Sequence, residues 1–214
     1  MAVVGIVPAA GSGERLGTRE PKAFAACAGR PLVEWSLAVL AQVCDRVVMA
    51  VPEGHELSPD RVLGGGSRSE SVRLALEAAP EADVAVVHDA ARPLVTRDLL
   101  ERCIAGLEPG WDCAIAAAPV TDTVKEADGD GRVTRTLDRS ALWAVQTPQV
   151  FRAHVLRRAL AVAGSALDTA SDDASLVEAA GGSVRVVPAP PGNIKVTRPV
   201  DLRLAELELL ERGA

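Results

Sequence analysis

The sequence predicts an α/β protein in which helices cover both faces of one sheet, and two observations carry that prediction. Short Val/Ala-rich runs alternate with segments of helical period along the chain, the β-α-β cadence of a parallel sheet. The strand-like runs, Val3–Pro8 and Val84–His88 among them, are nearly continuous in apolar residues, as strands buried on both faces are. Together these describe a three-layer sandwich around a mostly parallel, Rossmann-like sheet, expected as a single domain over residues 1–214.

The first strand is Val3–Pro8, closed by its proline, and a helix follows near Leu32–Gln42, where apolar residues recur at helical spacing. Arg46–Val51 reads as the next strand. Ser69–Ala79 reads as a helix, Val84–His88 as a strand, Arg97–Leu107 as a helix and Cys113–Ala118 as a strand. The cadence breaks at Thr121–Arg139, where two polar runs flank Ala127-Asp128-Gly129-Asp130-Gly131, the pattern of a protruding β-hairpin. Such a hairpin has too little apolar alternation to hold itself together as a free arm. It packs either on a second subunit, residues 121–139 then being an arm for dimerisation, or as an edge hairpin on its own domain. Helices near Ala153–Ala163 and Asp172–Ala180, a strand at Val184–Val187 and a closing helix at Val200–Glu211 complete the chain.

Composition excludes several functions. With 48% hydrophobic and 24% charged residues the chain can bury a core. Met1 leads straight into an apolar strand with no basic leader, and no apolar stretch approaches the ~20 residues needed to span a bilayer. A cytoplasmic protein with no membrane partner is the expectation. The net charge of −6 argues against a nucleic-acid partner, which needs a contiguous basic surface. Cysteines at 27, 44, 103 and 113 form no C-x-x-C pair and the histidines at 55, 88 and 154 are scattered, so neither a disulfide framework nor a zinc site is indicated. Of the 23 basic residues only three are lysines, at 22, 125 and 195, and two of these fall in polar loops beside strands.

In sheets of this kind ligands sit at the carboxyl ends of the strands, which singles out the loops after Val7, Val51, Val87 and Ala117. After the first comes Gly11-Ser12-Gly13-Glu14-Arg15-Leu16-Gly17, a glycine-rich turn whose backbone N–H groups can approach phosphates. Leu16 stands where the dinucleotide fingerprint wants a small residue, and the P-loop Gly-Lys-Ser/Thr is absent. Arg15, Arg19 and Lys22 add three cations, an arrangement suited to a triphosphate and its transition-state charge; a flexible turn with solvated charges is the plainer alternative. Asp89, in His88-Asp89-Ala90-Ala91-Arg92-Pro93, is placed to hold Mg²⁺ against phosphates, or else to cap a helix or pair with Arg92. Gly64-Gly65-Gly66-Ser67-Arg68 runs into a helix and either reads a base edge or is only a turn. Lys195, beside a predicted edge strand, is the remaining candidate cation, or a solvated surface lysine.

Taken in order, Pro8-Ala9-Ala10-Gly11-x-Gly13-x-Arg15, Pro21-Lys22, Gly64-Gly65-x-x-Arg68-x-x-Ser71-Val72, His88 to Pro93, Ala117-Ala118-Pro119-Val120-x-Asp122-Thr123, Thr147-Pro148-Gln149 and Asn193 to Thr197 resemble the 2-C-methyl-D-erythritol 4-phosphate cytidylyltransferases of non-mevalonate isoprenoid synthesis. The resemblance covers essentially the whole chain. It implies transfer of a cytidylyl group from CTP to a polyol phosphate, with Mg²⁺ as cofactor, in a homodimer. It also implies roles: Arg15 and Lys22 on the transition state, Ala9, Ala10, Gly11 and Gly13 along the triphosphate, and Gly65, Gly66 and Ser71 on cytosine, with Arg68 also at the substrate. By the same resemblance Asp89, Ala90 and Arg92 border the metal and acceptor, and Arg139, Thr147, Ser171 and Lys195 hold methylerythritol phosphate, Arg139 and Lys195 counting with the catalytic set. In that family the hairpin crosses to the neighbouring subunit. Two departures stand out: Gly66, where relatives can carry an acidic residue, and Ser171-Asp172-Asp173-Ala174 where Thr-Asp-Glu-Ala is expected. The competing readings are a cytidylyltransferase for another polyol phosphate such as ribitol 5-phosphate, a uridylyl- or guanylyltransferase, and a catalytically silent nucleotide sensor.

Overall fold

A computed structural model of the protein describes residues 1–11, 13, 16 and 21–213. The expected doubly covered sheet is present. In chain order the elements are β1 (Val3–Pro8), β2 (Ala26–Cys27), β3 (Arg30–Pro31), α1 (Leu32–Leu40), β4 (Arg46–Val51), β5 (Arg61–Leu63), α2 (Arg68–Glu77), β6 (Val84–Val87), α3 (Arg97–Ala105), β7 (Cys113–Pro119), β8 (Lys125–Ala127), β9 (Val133–Thr136), β10 (Trp143–Arg152), α4 (Ala153–Val162), α5 (Ala166–Thr169), α6 (Asp173–Ala179), β11 (Val184–Pro188) and α7 (Pro199–Glu211).

The main sheet has seven strands in the order β11-β7-β10-β6-β1-β4-β5. Every pairing is parallel except those of β10, which runs antiparallel between β6 and β7. Successive residues of β1 feed opposite layers: Val4 and Ile6 join Val72 and Leu76 of α2, Leu156 of α4 and Val177 of α6, whereas Val7 joins Val33 of α1 and Leu99 and Leu100 of α3. A third cluster, with Leu32, Trp35 and Leu209, seats α7 against the β2–β3 turn. Helix starts follow local chemistry, Ser67 and Thr96 capping α2 and α3 through their hydroxyls and Asp172 capping α6 through its carboxylate.

Several features depart from the expectation, β2, β3 and α5 being further elements it did not include. Residues 140–152, read without a strand, hold the long central β10; Pro148 lacks an N–H, and it is accommodated at the register shift between Val145 and Gln149, where the ladder is interrupted. The short strand β5 forms the sheet edge beyond β4, its three residues too few to carry a periodicity. No strand is formed around Lys195, which lies in an irregular segment between β11 and α7. The hairpin is confirmed as β8 and β9, paired only with each other and with every residue exposed, so it does not extend the main sheet as an edge hairpin.

Candidate functional site

Two clefts open at the carboxyl ends of the strands and share a wall. The first, of about 630 Å³, is lined by the turn after β1 (Ala9, Ala10, Gly11, Gly13), by Lys22, by Gly65 to Arg68 and Ser71, and by Asp89, Ala90, Lys195 and Thr197. Its floor is tightly built. Gly64 lets the two loops meet, since a Cβ there would stand 2.2 Å from the Cβ of Ala10. The Ser71 hydroxyl accepts from the Gly65 N–H (3.1 Å) and donates to the Ser67 carbonyl (2.9 Å), while Glu70 accepts from the Gly66 N–H (2.7 Å). Gly66 itself has room, the nearest atom to an added Cβ being Glu70 Oε2 at 3.5 Å.

The second cleft, about 420 Å³, is lined by Arg92, Gln146, Thr147, Gln149 and Ser171, and shares Arg68, Asp89 and Lys195 with the first. Asp89 is the hub of this seam. Its carboxylate takes Arg68 Nε at 3.0 Å and Lys195 Nζ at 2.7 Å, with Arg92 Nε at 3.9 Å. Burial pushes the Asp89 carboxyl up, but the Arg68, Lys195 and Arg92 charges overcome it and hold the group well below the usual carboxylate range. Arg68 in turn bridges to the fully buried Asp173 at the start of α6, and the two carboxylates outweigh desolvation and keep its guanidinium protonated.

Behind the seam lies a relay of neutral groups. The Asp89 N–H donates to the Thr147 hydroxyl (3.0 Å), which donates to His88 Nδ1 (3.2 Å), and His88 Nε2 donates to the Arg92 carbonyl (3.2 Å). Complete burial lowers the His88 pKa to about 4, so the ring is neutral at pH 7. Asn193 ties the Lys195 segment to β10, donating to Gln146 Oε1 (2.8 Å) and the Thr147 carbonyl (2.9 Å), while its own carbonyl accepts from Arg92 (2.7 Å). The Val196 N–H reaches the Ala91 carbonyl (2.8 Å), and Asp201 at the start of α7 accepts from Thr197 N and Oγ1.

Of the residues expected at the site, Ala9, Ala10, Gly11, Gly13, Lys22, Gly65, Gly66, Arg68, Ser71, Asp89, Ala90, Arg92, Thr147, Ser171 and Lys195 line one cleft or both. Of the plainer alternatives for Asp89, the Arg92 pair exists, although Arg68 and Lys195 are the closer partners, and the α3 cap is Thr96. Lys195 lines both clefts and pairs with Asp89, with 39% of its side chain still exposed. The loops after Val51 and Ala117 line neither cleft; the segment after β5 takes the place of the former. Arg139 lies outside both clefts of its own chain, exposed in the turn after the hairpin, its guanidinium donating to the Thr121 carbonyl. Arg15 and Arg19 lie outside the described residues. Sequence reasoning overlooked Asp173, visible only as a departure from an expected Glu, and Gln146 and Asn193, whose partners lie 47 positions apart.

A doubly covered sheet with a glycine-rich turn after β1 and a cation-lined seam between two clefts is an arrangement suited to nucleotidyl transfer. The statistical model of the 2-C-methyl-D-erythritol 4-phosphate cytidylyltransferase family matches residues 3–211, and the chain belongs to that family. It is 46% identical to the cytidylyltransferase of that name from Nocardia farcinica, over all of this chain and 96% of the relative, and 45% identical to that of Rhodococcus jostii, over 99% and 96%. The crystal structure of the enzyme from Thermus thermophilus superimposes with a TM-score of 0.82 at 38% identity, covering 97% of this chain and 98% of that one.

Proposed function

We propose that the protein joins CTP and 2-C-methyl-D-erythritol 4-phosphate to give 4-diphosphocytidyl-2-C-methyl-D-erythritol and pyrophosphate, a step in isoprenoid precursor synthesis. The observation that carries this reading is the seam: two clefts share Arg68, Asp89 and Lys195, so a nucleotide in one and a phosphorylated acceptor in the other bring their phosphates together. The triphosphate lies along the turn from Ala9 to Gly13 with Lys22, and Arg15 belongs to the same segment. With the N–H groups of Gly65 and Gly66 occupied by Ser71 and Glu70, the loop meets the exocyclic amine of cytosine through carbonyl oxygens.

The acceptor occupies the second cleft, with Arg92, Ser171 and Lys195 around it, Thr147 holding Asp89 in place from behind. A phosphate oxygen of the acceptor attacks the α-phosphorus of CTP; the bond from that phosphorus to the bridging oxygen breaks, and pyrophosphate leaves. Lys22 and Arg15 stabilise the added charge of the five-coordinate phosphorus, so catalysis is positioning and electrostatics without a covalent enzyme intermediate. Among the described residues no cluster of carboxylates, histidines and cysteines could hold a metal alone, which suits Mg²⁺, an ion that takes one or two carboxylates together with phosphate oxygens. Asp89 would supply that carboxylate, and the ion, when bound, adds positive charge at the phosphates.

The enzyme acts as a homodimer in which the 121–139 arm reaches the neighbouring subunit and Arg139 serves its site; the exposure of the whole hairpin supports this. It acts in the cytoplasm, and no helix among the described residues is long and apolar enough to cross a membrane. Pyrophosphate release from CTP and Mg²⁺ is the test, with methylerythritol phosphate, ribitol 5-phosphate or no acceptor. Release with methylerythritol phosphate alone is expected. Preference for ribitol phosphate would move the protein to another acceptor, and silence with both would leave a nucleotide sensor.

A further inference from the structure

Arg68 faces both clefts and is gripped from two sides, by Asp89 within the seam and by Asp173 behind it. We propose that Asp173 is a positioning residue for nucleotidyl transfer, holding the Arg68 guanidinium on the seam while substrates engage Asp89. The proposal rests on the cytidylyl-transfer reading above.

Three observations support it. Asp173 is 0% exposed and lines neither cleft, so it meets no substrate directly. Its Oδ2 pairs with Arg68, and its Oδ1 has no hydrogen-bond partner among the described residues, so the buried charge is compensated through Arg68. Asp89, by contrast, is shared among Arg68, Lys195 and Arg92. An incoming phosphate or cation competes for those contacts, and an arginine anchored by Asp89 alone would shift with each exchange. A second carboxylate outside the clefts keeps the guanidinium in place throughout. A mere tie between α2 and α6 has little use for charge, because a buried ion pair is seldom more stabilising than an apolar contact of the same shape.

The test compares Asp173→Asn, which keeps shape and removes charge, with Asp173→Glu, which restores charge. Steady-state kinetics for both substrates and thermal unfolding are measured on each. D173N is expected to lower kcat by on the order of 10–100-fold, the scale of a misplaced reacting group, with KM for each substrate changed less than about threefold. D173E is expected to recover most of kcat. Wild-type kcat in D173N, or a raised KM for CTP with kcat intact, would overturn the proposal. So would equal slowing of both variants in step with their melting temperatures, which marks a structural tie. Should the wild type fail to release pyrophosphate, the functional reading fails instead. The Arg68 Nη1–H resonance of the ligand-free protein, assigned by its loss in Arg68→Lys, then decides. It should be protected from exchange in wild type and D173E and lose that protection in D173N, whereas unchanged protection in D173N overturns the proposal.

Discussion

A Cβ built on Gly13 would stand 2.6 Å from the Cβ of Lys22 and 2.8 Å from its backbone nitrogen, and the Gly13 backbone has φ +76°, a conformation that side chains rarely adopt. The turn after β1 and the lysine are therefore in direct backbone contact. Gly13→Ala should move Lys22 and lower kcat on the order of 100-fold, the scale of misplaced catalytic groups. Its melting temperature should fall as well, because the added methyl strains a left-handed backbone and crowds the backbone of Lys22. Wild-type turnover in G13A would show that this contact is dispensable.

Lys22→Ala removes the ammonium and leaves the turn. If Lys22 acts on the transition state, kcat falls about 100- to 1000-fold while CTP affinity, measured by calorimetry, changes much less. An affinity loss as large as the kcat loss would assign the residue to ground-state binding.

The two glycines at 64 and 66 should respond oppositely. Gly64→Ala drives a methyl into Ala10 and separates the loops, so CTP binding and thermal stability should both drop; Gly66→Ala meets only ordinary contacts and should behave as wild type. Equal effects of the two substitutions would contradict the packing described here.

Residue His88 links stability to pH. Its folded-state pKa, lowered to about 4 by burial, lies below the ordinary value of about 6.5, so the unfolded chain takes up a proton first on acidification. Stability is therefore complete above the unfolded pKa and declines as pH falls towards the folded one. Urea unfolding at pH 7 and 4.5 should differ by about 2 kcal/mol from this group. Asp89, depressed from the ordinary carboxylate value, adds its loss only at lower pH. A His88→Gln variant should flatten the slope between those two values.

Mixing two inactive variants distinguishes a swapped arm from one serving its own chain. In a heterodimer of Lys22→Ala with Arg139→Ala, an arm that crosses leaves one site with both residues, so a random mixture should regain about a quarter of wild-type activity. An arm serving its own chain regains none.

Much of the architecture was legible because burial on both faces leaves a local trace: β1, β4, β6 and β7 are runs of Val, Ala and Ile that differ from their predicted bounds by at most a residue. β10 was not, since Pro148 removes a ladder donor from a strand that lies centrally, and only the tertiary register shows where that is tolerated. The glycine turn and Asp89 could be read because loops after strands carry ligands. The seam could not: Arg68 meets Asp173 across 105 positions, and Thr147 reaches His88 across 59, distances over which no periodicity or spacing speaks.

The place of β10 also orders the birth of the sheet. β7 pairs with β10 and β11, never with β6, so β11 and β7 have no route to β1, β4 and β5 except through residues 143–152. A nascent chain emerging at about 5–20 residues per second can assemble its amino-terminal strands early, but the two halves join only after the arm and then β10 have left the ribosome. Until that moment β6 presents an open, Val-rich edge, the interval in which a growing chain is most exposed to wrong partners.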